Sequence, residues 1–179
     1  MQSVNECFHK VKTDCFKYID SQETKTAKFK NKTKMLRSYL IPLCFWIVDQ
    51  KKNKSKTLIL GLSGGQGSGK TTITSIISTI LKKYFNKKIF VISIDDFYKT
   101  IKERYKLSQN IHPLLQTRGV PGTHDVKIIL NFFRKLNTNN FKLISLPKFD
   151  KSMDDRFKKN KWYKLKKKPD IVILEGWCV

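Results

Sequence analysis

Near the N-terminus, apolar side chains recur at helical spacing: Val4, Cys7, Phe8, Val11, Cys15, Tyr18 and Ile19. That period predicts a helix over residues 3–20. Residues 21–33, "SQETKTAKFKNKT", are polar and basic and read as a loop or frayed turn. A second helical stripe follows at Leu36, Tyr39, Leu40, Leu43, Trp46 and Ile47. Pro42 falls inside it, which predicts a kink or two short helices. Residues 50–56, "QKKNKSK", read as an exposed linker.

From Leu58 the period changes. "LILGL", "KIFVISID" (88–95) and "DIVILEG" (170–176) are short apolar runs rich in Ile and Val. They predict strands buried on both faces of a parallel sheet. Between the first two, Ile73, Ile76, Ile77, Ile80, Leu81, Tyr84 and Phe85 make a helix with one apolar stripe. Strand, helix and strand in succession predict a βαβ unit with a right-handed crossover. A further helix starts near Thr123 and carries Val126, Ile129, Leu130 and Phe133. "FKLISL" (141–146) reads as a strand or hairpin arm. The expected division is a helical extension and linker over 1–56 and an α/β domain over 57–179.

Composition narrows the class. The chain has 179 residues and 40% hydrophobic content, enough for a packed core and unlike a disordered chain. No apolar run approaches the roughly 20 residues of a membrane span, so no membrane role is expected. "MQSVNECFHKVKTD" lacks the apolar core of a signal peptide. Cys7, Cys15, Cys44 and Cys178 form no CxxC pair and read as reduced thiols of a cytoplasmic protein. The net charge of +23 favours polyanions. Yet the charge is spread along the chain, and the excess of Lys over Arg is what an AT-rich genome writes. Nucleic-acid binding is therefore not expected as the main role.

The chemistry begins at "LILGLSGGQGSGKTT". Gly64, four residues, then Gly69-Lys70-Thr71 is a P-loop. Glycine leaves room for main-chain N–H groups to approach a phosphate chain. The loop opens a helix, whose N-terminus favours negative charge. Lys70 can reach the β- and γ-phosphates, and the Thr71 hydroxyl can ligate Mg2+. The competing reading is a glycine turn with a solvated lysine. The preceding buried-type strand and following amphipathic helix argue against it.

Four more stretches carry candidates. "SIDDFY" ends the second strand, where ligands of α/β sheets bind. Asp95 or Asp96 is then expected beside the P-loop as a base, with Asp95 favoured. Either can instead be a cap or turn residue. Glu175, at the end of the third strand, is placed to order Mg2+ or its water, or else faces solvent. In "RGVPGTHD" (118–125), Arg118 and His124 can bind an anionic substrate, while Thr123 or Asp125 can cap the next helix. "PKFDKSMDDR" (147–156) is dense in mixed charge, which alone suits a solvated loop.

Together, "GLSGGQGSGKTT", "SIDDFY", "RGVPGTHD", "PKFDKS" and "DIVILEGWCV" resemble the D-glycerate 3-kinase family. That family belongs to the P-loop kinases related to phosphoribulokinase, uridine kinase and pantothenate kinase. The resemblance covers residues 36–179, since "YLIPLCFWI" is similar to the helical segment before the family's P-loop. It implies a three-layer α/β/α P-loop NTPase fold with a parallel sheet. It also implies an ATP-dependent kinase that makes 3-phosphoglycerate from D-glycerate, the closing step of photorespiration in phototrophs. By this resemblance Gly64, Gly65, Gln66, Gly67, Ser68, Gly69, Lys70, Thr71 and Thr72 hold the ATP phosphates. Asp95 is the base, Lys70 acts with it, and Thr71 and Glu175 hold Mg2+. Arg118, His124, Asp125, Lys148 and Asp150 line the side that takes a small glycerate-like anion.

In that family the strand ending at Glu175 leads into further strands, a lid and much of the adenine pocket, and a glycine-rich insert precedes the "DR". The expectation is thus a fold incomplete at its C-terminal end, with a sheet edge uncovered. A separate C-terminal fragment would be its partner. The other readings are a sibling kinase acting on a nucleoside, pantothenate or a sugar phosphate, and a non-catalytic nucleotide-binding fragment.

Overall fold

The computed structural model describes residues 3–52, 54–138 and 140–179. The helices are α1 (Val4–Gln22), α2 (Lys32–Met35), α3 (Ile41–Lys52), α4 (Lys70–Lys83), α5 (Ile101–Asn110) and α6 (Val126–Leu136). The strands are β1 (Leu58–Ser63), β2 (Ile89–Ser93), β3 (Ile144–Leu146), β4 (Phe149–Asp150), β5 (Asp155–Arg156), β6 (Tyr163–Leu165) and β7 (Ile171–Gly176). They fall into two compact units, Met1–Val91 with Pro169–Val179, and Ile92–Lys168.

In the first unit, α1 opens on Ser3, whose hydroxyl accepts from Glu6 N–H at 3.1 Å and satisfies a free helix-end donor. Its stripe of Cys7, Phe8, Val11, Cys15 and Ile19 is buried, as the spacing requires. The segment after it is tied down by Lys32, which pairs with Asp20 at 2.5 Å and Glu23 at 2.7 Å.

Helical structure is unbroken through Pro42, although a π turn precedes it. Residues 32–52 run as one helical stretch in which Leu36–Leu40 is a π turn, with Ile41 N–H donating to Leu36 O. Proline cannot donate to the carbonyl four residues back, and the wider turn lies directly before it. Leu36, Leu40, Ile41, Cys44 and Ile47 are buried, whereas Tyr39, Leu43 and Trp46 of the same stretch are exposed.

The sheet of this unit has the order β1-β7-β2. β1 and β7 run parallel from Leu58 opposite Ile171 to Ser63 opposite Gly176. The first and second strands in sequence are therefore separated by the last. α4 carries Ile76, Ile77, Ile80 and Leu81 into a core shared with α1, α3, β1 and β7. Each such buried aliphatic side chain contributes about 1.5–3 kcal/mol before entropy is subtracted. α1 and α3 pack on α4, so the N-terminal helices share one compact unit with the strand–loop–helix that follows them. The expected linker, 50–56, is partly the end of α3 and includes Asn53, which lies outside the described residues. Among the described residues no helix is long and apolar enough to cross a membrane.

The second unit holds a 3-10 turn at Ile94–Phe97, α5, a 3-10 turn at Pro113–Gln116, α6, and two antiparallel pairs, β3 with β6 and β4 with β5. Its buried residues include Phe97, Tyr98, Leu115, Phe132, Leu136, Ile144, Leu146 and Phe149. α6 starts at Val126 because Asp125 caps it, Oδ1 accepting from Ile128 N–H at 3.4 Å. The sequence reading missed α5. Its start is marked by a capping box in which the Thr100 hydroxyl accepts from Glu103 N–H and the Glu103 carboxylate accepts from Thr100 N–H. It escaped notice because its buried face is Arg104 and Ser108, not an apolar stripe.

Candidate active site

In the first unit the glycine loop joins β1 to α4. Gly69 sits at φ +80° as the residue before α4, with no side chain capping the helix. The first N–H groups of α4 are thus free to meet an anion. A Cβ at Gly64 would stand 2.9 Å from Ser68 Oγ and 3.3 Å from Lys70 Cγ, so the loop closes only around a bare α-carbon there. Gly65, Gln66, Gly67 and Ser68 form the exposed crest, tightened by Ser68 N–H donating to Gly65 O at 3.3 Å. Lys70 folds back over this crest and donates to Gly65 O at 2.6 Å. Thr71 and Thr72 follow in the first helical turn.

Glu175 enters from β7, opposite Leu62 of β1. Its Oε1 accepts from Thr71 Oγ1 at 3.2 Å and its Oε2 from Thr74 Oγ1 at 3.5 Å. The residue is buried, only 9% exposed, and among the described residues no cation pairs with it. A buried carboxylate with two hydroxyls and no positive partner is costly. An oxygen-only set of hydroxyl and carboxylate suits a hard divalent cation that draws its other ligands from phosphate and water. No group of three or more His, Cys, Asp or Glu among the described residues is arranged to hold a metal by itself.

In the second unit the two adjacent aspartates have different partners. Asp96 closes a capping box on Ser93 and accepts from Phe149 N–H at 3.1 Å. Burial raises its carboxyl above the usual range, against the hydrogen bonds from Phe149, Ser93 and Tyr163. Asp95 takes none of these bonds. Its Oδ2 lies 2.8 Å from Lys151 Nζ.

"RGVPGTHD" folds as a tight turn. Pro121 and Gly122 occupy its centre, Gly122 at φ +95°, and Thr123 N–H closes it on Val120 O at 3.1 Å. The chain then pairs back on residues 97–99: Lys99 N–H donates to Thr123 O, and Asp125 N–H to Phe97 O. His124 stacks on Tyr98 with ring centroids 4.2 Å apart. It is buried, which pushes its pKa down against the pull of Asp95, so the ring is neutral at pH 7. Among the described residues its Nε2 has no hydrogen-bond partner.

The stretch expected as a possible solvated loop is an ordered hairpin of β4 and β5. Asp150 builds its tip, Oδ1 accepting from Ser152 N–H and Oγ and from Met153 N–H. Lys148 lies over the rings of Phe157 and Tyr163. Asp125, besides capping α6, pairs with Arg156 at 3.2 Å. Arg156 also donates to Tyr98 O and Phe97 O. Arg118 meets Asp154 Oδ1 at 2.5 Å. The structure thus pairs Arg118 with Asp154, Asp95 with Lys151 and Asp125 with Arg156, the three partners all lying within 148–156, while His124 reaches that stretch through Tyr98, which meets Phe149 edge-on. Arg104, which the sequence reading did not single out, meets the same Asp154 from a fully buried position.

Strand, glycine loop and helix, with an acid on the parallel neighbour, define the class: an α/β domain of P-loop kinase type. No protein-family model matches the chain. It is 39% identical over 137 residues to the uncharacterized kinase mug58 of Schizosaccharomyces pombe, covering 73% of this chain and 49% of that protein. It is 31% identical over 162 residues to the chloroplastic D-glycerate 3-kinase of Arabidopsis thaliana, covering 80% and 35%. The solved D-glycerate 3-kinase of Cryptococcus neoformans matches with a TM-score of 0.67 at 31% identity, covering 77% and 51%. The chain belongs to the D-glycerate 3-kinase-like family of P-loop kinases, and it spans about half the length of these relatives or less.

Proposed function

We propose that this chain carries the phosphate-donor and acceptor machinery of an ATP-dependent small-molecule kinase whose substrate is D-glycerate. The γ-phosphoryl group of ATP passes to the acceptor hydroxyl, the hydroxyl proton goes to Asp95, and ADP leaves with the bridging oxygen. Gly64 to Thr72 hold the phosphates, and Lys70 leaves Gly65 O to meet the β- and γ-oxygens. Thr71 and Glu175 are the residues that would hold Mg2+, which on binding neutralises charge developing on the phosphates. Asp95 suits the base because its neighbour Asp96 is committed to main-chain donors. Arg118, His124, Asp125, Lys148 and Asp150 supply the cation, hydrogen-bonding groups and supports on the acceptor side.

The observation that carries the donor half is Glu175, buried against the Thr71 hydroxyl with no cation of its own. The acceptor half rests on the resemblance in "RGVPGTHD" and "PKFDKS". The test is turnover of the purified chain with magnesium–ATP and D-glycerate, uridine or pantothenate, following ADP and 3-phosphoglycerate. Formation of 3-phosphoglycerate supports the assignment. Phosphorylation of uridine or pantothenate but not of glycerate sinks it, and failure to bind millimolar magnesium–ATP sinks the kinase reading altogether.

A further inference from the structure

Two arginines share one carboxylate in the second unit. Arg104 is wholly buried, and its guanidinium donates to Lys99 O at 3.3 Å and Gln116 O at 2.9 Å. It also donates to Asp154 twice, to the main-chain O at 2.5 Å and to Oδ2 at 2.8 Å. The other oxygen of that carboxylate, Oδ1, accepts from Arg118 Nη1, which also donates to Lys151 O at 3.2 Å. Asp154 stands at φ +52°, a conformation L-residues enter at a cost and Asn or Asp most readily.

The charges of this trio do not cancel. Two guanidiniums face one carboxylate, which leaves one positive charge in excess. Arg104 is sealed in, so the excess emerges at Arg118, whose side chain is 35% exposed. Among the described residues both protein bonds of Arg118 are made by Nη1. The edge formed by Nε–H and Nη2–H is unclaimed, and that edge is the fork that grips a carboxylate by two parallel bonds.

We propose that Arg104 and Asp154 are positioning residues that fix Arg118 with its open edge ready for the carboxylate of the acceptor. The buried guanidinium anchors Asp154, Asp154 fixes one nitrogen of Arg118, and the remaining edge recognises the ligand. This rests on reading the second unit as the acceptor side.

The experiment uses the whole chain and two variants. Asp154→Asn keeps the tolerance for positive φ but removes the charge. Asp154→Gly removes the side chain and relieves the cost of positive φ, which offsets part of the stability lost with the carboxylate. D-Glycerate and magnesium–ATP affinities are measured by calorimetry, and guanidinium hydrogen exchange of Arg118 by NMR. Both variants are expected to bind D-glycerate about tenfold more weakly, to keep their affinity for magnesium–ATP, and to exchange the Arg118 hydrogens faster. Unchanged D-glycerate affinity in either folded variant overturns the proposal. If the unmodified chain binds uridine or pantothenate but no D-glycerate, the functional reading falls. The positioning role is then judged by the exchange rates alone, and equal rates in chain and variants overturn it.

Discussion

The glycine loop and the arginine-laced hairpin reach their chemistry by opposite means. The loop presents the main chain: free amides at the start of α4, a bare α-carbon at Gly64, and Gly69 at φ +80°. The hairpin presents side chains fixed by other side chains, with Arg104, Arg118 and Arg156 drawing together residues up to 59 positions apart. A main-chain site is written in consecutive letters. A side-chain network is written in pairs that only the fold can match.

The sharpest test of that contrast is a neighbouring pair. Asp95→Asn is expected to lower kcat by about a hundredfold or more with little change in ATP affinity, because a lost general base costs that much. Asp96→Asn is expected to act on stability, since its oxygens serve Phe149 and Ser93. Steady-state rates and urea unfolding of both variants separate the roles, and equal rates in the two would refute the base assignment.

Next comes Arg104→Leu, which leaves carbonyls of Lys99 and Gln116 without their donor. A loss of about 2–4 kcal/mol in urea unfolding is expected. Acid should weaken the same network. Burial pushes Asp154 up, but the Arg104 and Arg118 guanidiniums outweigh it and hold the carboxyl below its ordinary 3.8. A depressed carboxyl stabilises the fold above that pH and loses its contribution as pH falls below it, so unfolding midpoints should drop below pH 4 and drop less in Asp154→Asn.

On the main-chain side, Gly69→Val forces a branched residue into positive φ. About tenfold weaker magnesium–ATP binding is expected by calorimetry, with D-glycerate affinity unchanged. The smallest effect concerns the thiols. Burial pushes Cys7 up to about 11 and Cys15 up to about 12, and raises Cys44 further, while Cys178 is exposed. At pH 8 an aromatic disulfide reagent should label Cys178 quickly and the other three only on unfolding.

The legible parts were local ones. α1 and α4 follow from their apolar stripes, β1, β2 and β7 from their branched aliphatic runs, and the phosphate loop from glycine spacing. The place of Glu175 near the end of β7 was legible because an apolar run with an acid at its close implies a strand end. The order β1-β7-β2 was not, since the pattern names strands without saying which are neighbours. Arg104 was hidden for a related reason: its partner Asp154 lies 50 residues away, and a charged residue on a polar helix gives no sign of burial. The π turn was hidden because Pro42 announces a lost hydrogen bond but not how the chain absorbs it.

That turn also makes the N-terminal helices sensitive to length. Between Leu36 and Ile41 the coil holds one residue more than an ordinary turn would, so a single deletion there can be taken up by tightening. The same deletion in α3 would swing every later side chain by about 100°, carrying Trp46 inward and Cys44 and Ile47 out into water.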